Sequence, residues 1–123
     1  MSSDTQTDPR GDPQRNAEVD RLFHALGDPT RRAMLDSLSV APASVSKLAA
    51  ALGITLTAVG QHLQILEEAG LVKTEKQGRV RSCRIERTGF DRLEQWIRDH
   101  RSHWEHSFDR LHAMLDEEHG EKG

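Results

Sequence analysis

The segment "SVSKLAAALGITLTAVGQHLQILEEAG" constrains the fold more than any other part of the chain. Val45, Leu48 and Leu52 recur at helical spacing and stop at Gly53. Thr55 then opens a second helical pattern, in which Val59, Leu63 and Leu66 fall on one side and Gly70 ends the run. Only Ile54 separates the first glycine from the threonine cap. Two short helices joined by so tight a glycine turn predict a helix-turn-helix.

The flanking sequence supplies the elements such a unit needs. From Ala17, the residues Val19, Leu22, Phe23 and Leu26 predict a first helix that stops at Gly27. In "DPTRRAMLDSL", Asp28 is the N-cap and Pro29 the first helical residue, and the helix ends before Pro42. After Gly70 the apolar period becomes alternating, and "KQGR" interrupts it, so residues 71–76 are expected to pair with 80–86 in a hairpin. A long helical pattern runs from Phe90 to about Glu118 without a proline.

The fold class expected is therefore mainly α with a small β-hairpin: four helices, two strands and a fifth helix, the order of a winged helix-turn-helix. Residues 1–15, polar and rich in Pro, Asp, Ser and Thr, are expected to be a disordered tail. Residues 16–88 are expected to form the helix-turn-helix domain, 89–118 a separate C-terminal helix and 119–123 a frayed end. No apolar run approaches 18 residues and no signal-peptide core is present, which predicts a soluble cytoplasmic protein with no membrane partner. The lone cysteine, Cys83, excludes an intramolecular disulfide framework and any Cys-rich zinc motif within one chain. It alternates with Ile85 on one strand face, where it packs as a small hydrophobe or, alternatively, acts as a thiol sensor.

The net charge of −3 is unevenly spread: residues 1–18 carry −2, residues 19–88 carry +3 and residues 89–123 carry −4. A basic middle segment between acidic ends puts any polyanion-binding surface in the middle. There the second helix of the pair sets Thr57, Gln61, Gln64 and Glu68 opposite its apolar face, with Gly60 beside them. Gln and Thr can bond to base edges, and the small Ala58 and Gly60 let the backbone come close. Gly60 inside a helix costs about 1 kcal/mol against Ala, so it marks either close approach to DNA or drift at a tolerant position. The hairpin gathers Lys73, Lys76, Arg79, Arg81, Arg84 and Arg87, cations that can follow phosphates without reading sequence.

The stretches "LGDPTRRAMLDSL", "VSKLAAALGITLTAVGQHLQILEEAGLV" and "KQGRVRSCRIE" resemble the ArsR/SmtB family of bacterial winged-helix repressors, over roughly residues 17–115. The resemblance implies a homodimeric transcriptional regulator, not an enzyme, whose fourth helix reads the major groove of double-stranded operator DNA. Carried over by position, Thr55, Thr57, Ala58, Gly60, Gln61, His62 and Gln64 are expected DNA contacts on that helix. Arg79 and Arg81 are expected wing contacts, with Lys76 beside them. The family often has Ser where Gly60 stands. His62 adjoins core Leu63 and can contact DNA or pack between helices, and Arg31 and Arg32 can form an intramolecular pair or touch phosphates.

The last helix carries an apolar stripe over more than five turns. With Leu22 of the first helix, its Leu93, Trp96, Ile97, His100, Trp104, Phe108, Leu111 and Leu115 are the expected dimer interface. His100, His103, His106 and His112 raise the question of a metal. Three of them, at 100, 103 and 106, rotate around the helix, and none makes the i, i+4 pair of a typical site. Where the family's metal sensors place a Cys-x-Cys, this chain has Ser44 and Ser46, and the other familiar pattern would fall on Arg98, Leu111 and Met114. No cofactor is expected, the effector has no signature, and the resemblance is to a subgroup without these metal sites. Two alternatives stand beside the main reading: a zinc- or nickel-responsive regulator using these histidines across a dimer, and a protein-interaction module that binds no DNA.

Overall fold

In the computed structural model the backbone is described for residues 12–122 and the side chains for residues 12–117; the tail expected at 1–11 and Gly123 lie outside these. The chain divides into two compact units, Met1–Arg92 and Leu93–Gly123. The elements in order are α1 (Pro13–Leu26), α2 (Pro29–Val40), β1 (Ala43–Ser44), α3 (Val45–Leu52), α4 (Leu56–Glu68), β2 (Val72–Gln77), β3 (Val80–Ile85) and α5 (Arg87–Lys122).

Helix α1 starts four residues before the apolar pattern does, so the expected disordered tail is corrected at 13–15. The Asp12 carboxylate accepts N–H bonds from Gln14 and Arg15, and Pro13 at the first turn is pre-set for a helix. Capping chemistry starts the helix well ahead of its first core residue, Val19. At the other end, residues 119–122 continue α5 as helix rather than fraying.

The remaining caps follow the sequence. Asp28 accepts the backbone N–H of Arg31 at 3.0 Å, the Ser44 hydroxyl that of Lys47 at 3.1 Å, and the Thr55 hydroxyl that of Ala58 at 3.0 Å. Gly53 ends α3 in the left-handed conformation at φ 68°, which lets the chain turn within two residues into α4. The expected hairpin is present as β2 and β3, antiparallel from Val72 opposite Ile85 to Gln77 opposite Val80.

The sheet has a third strand that the alternation of apolar residues did not indicate. Ala43 and Ser44 pair with Cys83 and Ser82, giving the order β1-β3-β2. Two residues are too few to show a period, and Pro42 beside them reads as a break. Ser44 thus serves twice, as a strand residue on β3 and as the N-cap of α3.

The core of the first unit contains Val19 and Leu22 from α1, Met34 and Leu38 from α2, Leu48 from α3, Val59, Leu63 and Leu66 from α4, and Leu71, Val72 and Cys83. Leu22 is 1% exposed, which corrects its assignment to a dimer interface: the protomer already buries it. Cys83 is buried too, and burial pushes its thiol above the usual range.

The first unit extends to Arg92, beyond the expected boundary at 88, because the start of α5 is seated on the end of α4. The N–H of Gly89 donates to the carbonyl of Gly70 at 2.7 Å. A Cβ at Gly89 would meet the Ala69 carbonyl oxygen at 2.5 Å and the Gly70 carbonyl at 2.7 Å, and Gly70 itself has φ 76°. Only two glycines let these backbones touch.

Candidate nucleic-acid interface

Helix α4 buries Val59, Leu63 and Leu66 and exposes Thr57, Gly60, Gln61 and Gln64, so the burial follows the sequence pattern. Ala58 and His62 are half-buried at its edge. The space around Gly60 is open, with no heavy atom within 4 Å of where a Cβ would stand. The exposed face offers amide and hydroxyl groups on a rigid support, the chemistry that reads base edges in a groove. Thr55, expected as a DNA contact, has its hydroxyl oxygen occupied as the cap of α4, leaving the hydroxyl hydrogen as a donor.

The wing is tied to this helix. The Thr74 hydroxyl on β2 donates to the Glu67 carboxylate on α4, 3.2 Å from its nearer oxygen. Along the hairpin the cations fall into two groups. At the base, Arg84 stands opposite Lys73 and is held by Glu75 at 3.0 Å and Glu86 at 3.8 Å. Thr88 donates to Glu86 at 2.7 Å, which holds that carboxyl below its usual range, with the positive charges of Arg84 and Lys73 contributing less.

Nothing comparable happens at the tip. Lys76 stands directly opposite Arg81, and Arg79 follows Gly78 in the turn at φ 64° for the glycine. All three side chains are exposed, and no ion pair reaches them among the described residues. Like charges opposite each other in a ladder repel. A surface that keeps them so is relieved by a polyanion, and the tip supplies three cations for one.

Arg31 and Arg32, whose role the sequence left open, are both internal fasteners. Arg31 is 7% exposed: its Nε donates to the Ala25 carbonyl and its Nη2 to the His24 carbonyl, each at 2.9 Å, and its Nη1 lies 3.2 Å from Nδ1 of His62. Arg32 donates to the Leu26 carbonyl at 2.6 Å. The acceptors on α1 are carbonyls of its last turn, where the regular helical bonds run out, and that of His24 also accepts the N–H of Gly27 at 3.2 Å. His62 therefore has a packing partner, and the sequence had no signal to separate that role from DNA contact.

On α5 the residues expected at a dimer interface are half-buried (Leu93, Trp96, His100) or exposed (Ile97, Trp104, Phe108, Leu111, Leu115). His100 stacks on Trp96 with ring centroids 4.3 Å apart, and its Nδ1–H donates to the Trp96 carbonyl at 2.9 Å. His103, His106 and His112 are exposed. Among the described residues no three His, Cys, Asp or Glu side chains converge on one point, and no single helix is long and apolar enough to cross a membrane.

Known proteins share this arrangement. A helix-turn-helix domain family matches residues 26–75. HTH-type transcriptional regulator Rv2034 of Mycobacterium tuberculosis is 39% identical over 74 residues, 60% of this chain and 69% of that protein. The crystal structure of an ArsR family transcriptional regulator, RHA00566, superposes with a TM-score of 0.68 at 42% identity, over 73% of this chain and 93% of the other. The solution structure of the homodimeric winged helix-turn-helix DNA-binding domain Mb0332 of Mycobacterium bovis, described as a possible ArsR-family regulator, has a TM-score of 0.60 at 31% identity, covering 80% and 92%. The identity to the first two reaches over most of their length, and the elements they share are those assembled above. This chain belongs to the ArsR family of winged helix-turn-helix transcriptional regulators, DNA-binding proteins rather than enzymes.

Proposed function

We propose that this chain binds a roughly palindromic operator as a homodimer and represses transcription, with the two α4 helices in successive major grooves about one DNA turn apart. In this reading Thr57, Ala58, Gly60, Gln61 and Gln64 meet base edges, Thr55 donates to the backbone, and Lys76, Arg79 and Arg81 follow the phosphates. DNA binding needs no cofactor, and the protein works in the cytoplasm. The observation that carries the reading is the unneutralised cation set at the wing tip beside the polar, exposed face of α4. The homodimeric assembly of the Mycobacterium bovis relative and the exposed apolar stripe of α5 support the dimer.

Fluorescence anisotropy with promoter and scrambled duplexes tests it. The promoter should bind at least about a thousandfold more tightly at physiological salt. Equal weak binding to both would sink sequence-specific regulation. Gln61→Ala should erode discrimination between sequences by about 1–3 kcal/mol at one position, whereas Arg79→Ala should weaken all duplexes alike and lower the salt slope by about 1.

A further inference from the structure

The contact between Arg31 and His62 fixes a protonation state. A guanidinium is charged at all working pH values and can only donate, so the Nδ1 atom 3.2 Å from its Nη1 must present a lone pair. His62 is then neutral, with its proton on Nε2. The other two acceptors of this buried guanidinium are backbone carbonyls, so none of its three partners carries a charge. The Asp28 carboxylate is occupied with the backbone N–H of Arg31, and its charge reaches both Arg31 and His62.

The placement gives this bond a task. Arg31 lies on α2, its carbonyl acceptors are on the last turn of α1, and His62 stands on α4 next to Gln61 of the exposed face. One side chain thus links three helices, and its link to α4 is the only one of the three that a proton can remove. A protonated His62 loses the lone pair and sets a second cation against a buried first, with the Asp28 carboxylate as a counter-charge that reaches both.

We propose that Arg31 and neutral His62 form a positioning latch for the recognition helix, so that proton uptake at His62 loosens α4 and weakens operator binding in mild acid. The proposal rests on the operator-binding reading above. His62→Asn puts a non-titrating oxygen near the position of Nδ1, and His62→Gln offers a second, longer acceptor. Operator affinity of the full chain is measured at about pH 8 and about pH 5.5, at constant ionic strength, for wild type and both variants. The wild type should lose about tenfold more affinity on acidification than His62→Asn loses from its own value at the higher pH.

Nitrogen NMR of the His62 ring in DNA-free protein gives an independent readout, with Nδ1 unprotonated at the higher pH. The same acid loss in wild type and both variants, or a proton on Nδ1, overturns the latch. If no protein binds the operator at any pH, the functional reading fails while the ring spectrum still decides the tautomer. Should His62→Asn fail to fold by circular dichroism, His62→Gln and the spectrum carry the decision.

Discussion

Helices α4 and α5 both carry an apolar stripe at helical spacing, and the protomer treats them in opposite ways. In α4 the stripe is closed off, with Leu66 0% exposed, while in α5 Phe108 and Leu111 remain 66% and 52% exposed. The period of a sequence tells which face of a helix is apolar. It does not tell whether the covering surface belongs to the same chain. Burial within one chain makes stability independent of concentration, whereas a face left open makes it depend on a partner.

Substitutions can break or sharpen that contrast. The largest effect is expected where the start of α5 touches the end of α4: Gly89→Val drives a side chain into the Ala69 and Gly70 backbone and should cost about 3 kcal/mol or more by urea denaturation. Leu66→Ala should cost nearly as much, about 2–5 kcal/mol, at every protein concentration. Leu111→Asp should leave the winged unit folded but raise the dimer dissociation constant about thirtyfold in sedimentation equilibrium. A concentration-independent loss there would mean that α5 is no interface.

Gly60→Ala, with open space around it, should stabilise the chain by about 1 kcal/mol. If operator affinity falls as stability rises, the glycine is kept for close approach to DNA. The smallest effect is a pH dependence at the start of α2. The Arg31 backbone N–H holds the Asp28 carboxyl below its usual range, helped by the positive charge of Arg31. A depressed carboxylate stabilises fully above its unfolded pKa, and that contribution disappears as pH falls through the lower, folded value. Thermal melts of Asp28→Asn should therefore lack part of the wild type's acid sensitivity.

Much of this was legible from residues alone, for physical reasons. Caps and turn glycines act over three or four residues, so Asp28, Thr55 and Gly53 announced their helix ends directly. The polar face of α4 and the basic hairpin followed from period and charge. What escaped was set by contacts distant in sequence. Arg31 stood open between an intramolecular pair and a phosphate contact until the α1 carbonyls and His62 closed around it, and Gly89 gave no sign of its contact with Gly70. Leu22 and Leu111 are equally apolar on paper, and only packing separates the buried one from the exposed one. Arg84 and Arg81 are equally basic, and only the register shows which of them Glu75 neutralises.

The double use of Ser44 has a mechanical consequence. Its backbone is stitched to β3 while its hydroxyl starts α3, so the wing is no free flap hanging from a helical body. A tilt of the hairpin must drag the first turn of α3 with it, and through the Gly53 turn that motion reaches α4. Whatever pulls on the wing tip therefore also steers the helix beside it.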